Sequence, residues 1–100
     1  MPANHFKIKS KVWVYPGMAG WRFLSLPKKH STKIQKIFGD LARGWGSLPV
    51  NVTVGATKWK TLIFPDKKTK TYILPLKTQV RKTENIKDKD LVNFSIEIVI

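Results

Sequence analysis

From Phe6 to Tyr15 the chain changes side at every residue: Phe6, Ile8, Ser10, Val12 and Val14 alternate with Lys7, Lys9, Lys11, Trp13 and Tyr15. A period of two gives a strand one face for a core and one for water, and it does not fit a helix. Pro16-Gly17 then turns the chain, and Trp21 to Leu26 reads as a second strand closed by Pro27, which has no N–H for a sheet ladder. The two segments predict a hairpin.

A helix is expected next. Ser31 or Thr32 can cap its N-terminus, Gln35 completes a capping box with Thr32, and Ile34, Ile37 and Phe38 form an apolar stripe ended by Gly39. Leu48 to Val54 and Thr57 to Phe64 are β-branched and aromatic-rich, and Gly55-Ala56 joins them as another hairpin. Pro65-Asp66-Lys67-Lys68 turns into Thr71 to Pro75. Lys77 to Glu84 forms one helical turn, and Leu91 to Ile100 alternates as a closing strand. The expected fold class is all-β, six or seven strands with two short helices. Strand Arg22 to Leu26, Pro27 and a helix are echoed by strand Tyr72 to Leu74, Pro75 and a short helix through Val80. Such an echo suggests an internally duplicated closed or partly split barrel, which would also hide its edge strands.

One hundred residues make a single domain, 1–100, with no room for a second. No apolar run approaches the roughly 18 residues of a membrane span. Met1-Pro2-Ala3-Asn4-His5 lacks the apolar segment of a secretory signal and the chain has no cysteine, so the cytoplasm is the expected location. Its charge of +13 sets up a field that attracts polyanions, nucleic acid first among them. Against that, the cations are sixteen lysines and only Arg22, Arg43 and Arg81. Lysine on a strand also serves solubility and edge protection, so a merely solvated surface stands beside a functional one.

The pattern WRFLSLP (Trp21 to Pro27), Ser31, RGWGSLPV (Arg43 to Val50), Thr53, Gly55, Thr57, Trp59, FPDK (Phe64 to Lys67), YILPLK (Tyr72 to Lys77) and VRK (Val80 to Lys82) resembles a bacterial family called domain of unknown function nineteen-oh-five. The resemblance covers nearly the whole chain. It implies a double-split β-barrel capped by short helices, related in fold to AbrB-type regulators, and brings no established activity. Lys70 and Lys89 stand where the family often has glycine, at turns that favour φ > 0.

Catalysis finds little support: only His5 and His30 are available, and no zinc, P-loop or nucleophile-elbow spacing occurs. Both histidines read as solvated, Ser47 as a turn serine, Asp66 as an Asx-turn acid, and Asp88 with Asp90 as part of a turn. No catalytic residue, metal site or cofactor is expected. The loop Arg43, Gly44, Trp45, Gly46, Ser47 can form a backbone anion nest beside the Arg43 charge, or it can be a bend stapled by Trp45 packing into a barrel end, the favoured reading. Trp59, between Lys58 and Lys60, is core if it points inward and a stacking platform if outward. Lys77 and Arg81, four apart, share a helix face and either contact a phosphate with Lys82 or pair with Glu84 or Asp90.

The expectation is a small basic, non-enzymatic binding domain for nucleic acid or another polyanion, either monomeric or dimeric and with no membrane contact. Lys7, Lys9, Lys11, Lys58 and Lys60 would neutralise phosphates together with Arg43, Arg81 and Lys82, and about six contacts give a log-log salt slope near −5. The alternative is a small-molecule or protein-interaction domain using the Arg43-Ser47 loop. A pocket uniting Arg43, Trp45 and Trp59 would favour the alternative, and lysines gathered on one face would favour nucleic acid.

Overall fold

The computed structural model describes residues 4–17 and 20–99. Six strands, β1 (His5–Val14), β2 (Arg22–Ser25), β3 (Leu48–Val54), β4 (Thr57–Asp66), β5 (Thr71–Pro75) and β6 (Leu91–Ile98), close into an antiparallel barrel ordered β1-β2-β5-β4-β3-β6. Two helices, α1 (Lys28–Phe38) and α2 (Thr78–Thr83), pack on it, and 3-10 turns span Gly39–Leu41 and Gly44–Gly46. The fold is therefore mainly β. Each expected strand and hairpin is present. The N-terminal residues Met1 to Ala3, and Ile100 at the expected end of the last strand, lie outside the described residues.

Alternation fills the barrel. β3 presents Leu48, Val50, Val52 and Val54 inward, and the register pairs them with Ile63, Thr61, Trp59 and Thr57 of β4. Leu24 of β2 and Leu74 of β5 are paired with each other and fully buried. Just beyond that pair, the Leu26 N–H donates to the Tyr72 carbonyl at 2.9 Å and the Leu76 N–H to the Arg22 carbonyl at 2.8 Å. Burying a Leu or Ile side chain of this kind stabilises by about 1.5–3 kcal/mol, so the stacked interior carries the fold.

Several local expectations are corrected. α1 starts directly after Pro27, which sits at φ −56°, instead of at Ser31 or Thr32. Ser31 is buried a turn later, where its Oγ accepts from the Tyr72 N–H at 2.9 Å and donates to the Leu26 carbonyl at 3.4 Å. Gln35 makes no capping box, because its Oε1 accepts from the Tyr72 hydroxyl at 2.7 Å. Gly39 ends α1 as expected, though at φ −57° it leads straight into the 3-10 turn. β4 runs through Pro65 and Asp66, which pair with Tyr72 and Thr71, so the turn shifts to 67–70. Asp66 still organises it as expected: its carboxylate accepts from the Lys68 N–H at 3.3 Å and the Thr69 hydroxyl at 3.0 Å.

Candidate functional site

The barrel has two unlike outer faces. On the side of β2 and β5 the register pairs Trp13 with Phe23 and Phe64 with Ile73, all pointing away from the interior. Phe23 is only 4% and Ile73 only 8% exposed, yet neither belongs to the central core cluster. They are buried by a second, external apolar layer. The Phe23 ring lies 5.2 Å from Trp13, 5.6 Å from Tyr15 and 6.0 Å from Trp21. Trp13 is oriented by its indole N–H, which donates to Ser25 Oγ at 2.9 Å. Tyr15, Trp21, Phe23, Trp45, Phe64 and Pro65 line a groove of about 420 Å³. A second groove of about 520 Å³ continues from Trp13 and Tyr15 to Asp66 and Lys68.

Trp45 forms one wall of that groove and is 92% exposed, which overturns its expected packing into a barrel end. The cause is backbone geometry. Trp45 has φ 63° and Gly46 φ 72°, so the left-handed bend throws the indole outward. A Cβ on Gly46 would come within 2.9 Å of Pro65 Cγ, so the glycine lets the loop rest on β4. The Arg43 N–H donates to the Ser47 carbonyl at 2.8 Å, Gly46 N–H to Arg43 at 2.9 Å, and Ser47 N–H to Gly44 at 3.2 Å. Ser47 is the expected turn serine, its Oγ donating to the Gly44 carbonyl at 2.9 Å. With three N–H groups spent internally, at most Gly44 and Trp45 are left to donate to an anion. A bulky side chain in the left-handed region costs about 1–3 kcal/mol and persists only where its surroundings enforce it.

The opposite face joins β1, β6, β3 and β4. Register sets Lys7 beside Ser95, Ser95 beside Thr53 and Thr53 beside Lys58; one row over stand His5, Glu97, Asn51 and Lys60. Lys9 and Lys11 extend the β1 edge. Two lysine rows thus flank small polar side chains across three strand spacings, about 14 Å. Beside Lys58 and Lys60, and reaching His5 and Glu97, lies a groove of about 450 Å³. Its one carboxylate, Glu97, accepts from Asn51 Nδ2 at 3.1 Å. Trp59 lines this groove only in part and is no open platform: it sits opposite Val52, packs half-buried against the core, and buries its indole N–H without an acceptor.

The α2 cations are separate again. Arg81 Nη2 donates to Thr78 Oγ1 at 3.1 Å, while Glu84 accepts from Thr57 Oγ1 at 2.6 Å and Asp90 from the Lys87 N–H at 2.8 Å. Of the two alternatives for Arg81, pairing with Glu84 or Asp90 is not found among the described residues. Lys82 is exposed, and Lys77 lines a small cleft together with Trp21. Asp88 sits in a turn as expected, and from there its carboxylate accepts from Arg22 Nε at 2.6 Å. His30 is not simply solvated: its ring meets Phe6 edge-on at 5.4 Å, and burial, then the charges of Lys29 and Lys33, hold its pKa below the usual value. Burial pushes the Tyr72 phenol up. Among the described residues no cluster of three or more His, Cys, Asp or Glu could hold a metal, and no helix is long and apolar enough to cross a membrane.

Residues 9–96 match the family model described as Domain of unknown function (DUF1905). The chain belongs to this family. A comparison with curated proteins finds no match. The DUF1905 span takes in the whole aromatic groove and most of the lysine face, leaving out only His5, Lys7 and Glu97 of the residues named there. It also contains Lys70 and Lys89, at the two turns expected to favour φ > 0. Lys70 has φ 58° and Lys89 φ 70°, so both turns keep the left-handed geometry with an unfavourable side chain.

Sequence reasoning missed the groove. Trp13 and Tyr15 continue the outward row of Lys7, Lys9 and Lys11, and Trp21 opens the next strand, so a run of outward aromatics was the available signal.

Proposed function

We propose that this domain is a non-enzymatic, cytoplasmic nucleic-acid-binding module whose lysine face neutralises backbone phosphates. The observation that carries the reading is the register that puts Lys7, Lys9 and Lys11 of β1 and Lys58 and Lys60 of β4 on one outer face, with Asn51, Thr53 and Ser95 between the two strands, on a chain of net charge +13. Phosphate attraction of this kind is sequence-independent and salt-sensitive. The alternative, a small-molecule or protein-interaction pocket built on the Arg43-Ser47 loop, called for Arg43, Trp45 and Trp59 together. Trp59 points into the barrel while Trp45 stands on the aromatic side.

The barrel itself is best understood as a duplicated, double-split barrel of AbrB-like type. Exchanging β1 with β4, β2 with β5 and β3 with β6 reproduces the observed strand order. The reciprocal bonds Leu26 to Tyr72 and Leu76 to Arg22 support the same two-fold relation about the Leu24-Leu74 pair. Each long strand, β1 and β4, then carries lysines on its outer face in the first half and aromatics in the second.

Binding of a short DNA duplex measured between about 50 and 200 mM salt tests the phosphate reading. Five contacts give a log-log slope near −4.5, and the triple variant Lys7→Gln, Lys9→Gln, Lys11→Gln should flatten it by about 2 to 3. Binding without that slope, or a triple variant with an unchanged one, sinks the proposal.

A further inference from the structure

The aromatic groove holds nothing that the phosphate reading uses, and it is costly to maintain. Tyr15, Trp21 and Trp45 expose large rings to water at 40%, 53% and 92%, and Trp45 does so from a strained backbone. A chain selected only for folding would place glycine at that φ and a polar residue on that surface. Cations stand near the groove: Arg43 is two residues before Trp45, Lys77 shares a neighbouring cleft with Trp21, and Lys68 lies, together with the Asp66 carboxylate, along the adjoining groove with Trp13 and Tyr15. Aromatic walls with cationic rims complement a ligand that is flat and apolar in its middle and anionic at its edges. Unpaired nucleobases on a phosphate backbone have that character, and they stack on exposed rings whatever their sequence.

The route into the groove is continuous with the lysine face. Along the outer side of β1, Lys7, Lys9 and Lys11 lead to Trp13 and then Tyr15, a path of about 27 Å at strand rise. A duplex could lie on the lysines but could not offer its bases to rings that stand on a different face of the barrel. We infer that the aromatic groove of Tyr15, Trp21 and Trp45 stacks the unpaired bases of single-stranded nucleic acid whose phosphates run along the β1 lysines. This rests on the phosphate reading for the backbone contacts, and adds to it the strandedness and the base site.

The test compares three probes at matched salt concentrations between about 50 and 200 mM: an eight-nucleotide oligothymidylate, an abasic oligomer of the same length, and a duplex. Oligothymidylate should bind tightest and quench the tryptophan fluorescence. Trp45→Gly should weaken oligothymidylate by about 5- to 150-fold per stacked base and leave the abasic oligomer unchanged. The same variant should melt higher than the parent, since glycine relieves the left-handed strain, so lost binding would not reflect lost folding. If Trp45→Gly binds all three probes as the parent does, or if the duplex binds as tightly as the single strand, the base site is overturned while the phosphate reading survives. If oligothymidylate still depends on Trp45 but the salt slope is flat, the phosphate reading fails and the base site stands. Should no probe bind, both fall. A self-associated protein that Trp45→Gly renders monomeric, with oligonucleotide affinity unaltered, would assign the groove to a second copy and overturn the inference.

Discussion

The β2-β5 side and the β3-β6 side of this barrel share an interior and differ almost completely outside. Outside β3 and β6 the strands alternate as in any half-buried sheet, with Asn51, Thr53, Asn93 and Ser95 turned to water between lysines. Outside β2 and β5 the sheet is apolar on both faces: Leu24 and Leu74 fill the core while Phe23 and Ile73 are buried beneath a layer of exposed rings. Two short strands, of four and five residues, thus support apolar packing on either side. The difference teaches that burial here has two origins, closure of the barrel and a separate surface cluster, and that only the second leaves aromatics in water.

The sharpest way to break that distinction is to remove the centre of the outer cluster. Phe23→Ala should destabilise the domain by about 3 kcal/mol, near the low end for a buried phenylalanine because the surrounding rings can partly collapse. On a domain of this size that lowers the melting temperature by roughly 12–24 °C. Asn93→Ala, on the exposed polar face beside Lys9, should change stability by less than about 0.5 kcal/mol. Equal effects in thermal melts would mean that the outer aromatic layer is not a packed unit.

A second, smaller effect separates strain kept for a side chain from strain that is incidental. Lys70 in the β4-β5 turn and Lys89, whose N–H donates to the Val12 carbonyl at 3.1 Å, occupy the left-handed region as Trp45 does. Lys70→Gly and Lys89→Gly should each stabilise by about 0.5–1 kcal/mol, less than the full left-handed cost because glycine also loosens the unfolded chain. Chemical denaturation would show it. Neither change should alter oligothymidylate affinity by the factor expected for Trp45→Gly. If they do, the turns and not the rings carry the binding.

Much of this architecture could be read from residue order, because alternation and Pro/Gly punctuation act locally. β1, the β3-β4 hairpin and the helix after Pro27 all follow from neighbours within ten residues. What escaped depends on partners far along the chain. Ser31 looks like a helix cap until β5 delivers the Tyr72 N–H to its hydroxyl, 41 positions away. Trp45 looks like an anchor because glycines flank it, yet the left-handed residue is the tryptophan itself together with Gly46, and no pattern distinguishes those assignments. The lysine face was legible residue by residue, but its assembly needed the β1-β6-β3-β4 register. The aromatic groove needed three strands and a loop from separate parts of the chain.

The smallest expected effect concerns a group that lies on neither face. His30 lies in α1, at the barrel end, with its ring edge-on to Phe6 and Lys29 and Lys33 close by. Burial first, and the two lysine charges second, disfavour the imidazolium in the folded chain, so its folded pKa lies below the unfolded value near 6.5. As pH falls through 6.5 the unfolded chain takes up the proton first, and mass action draws the equilibrium toward it. His30 therefore contributes nothing unfavourable above that pH, and its penalty grows on acidification until the folded form is protonated as well. Because the ring is only partly buried the slope should be shallow. Melting temperatures of the parent and His30→Gln, measured from pH 8 to pH 5, should converge in shape at the alkaline end and separate toward the acidic end, with the variant losing less. A parent whose loss matches that of His30→Gln at every pH would show that burial against Phe6 and the two lysines do not perturb the imidazole.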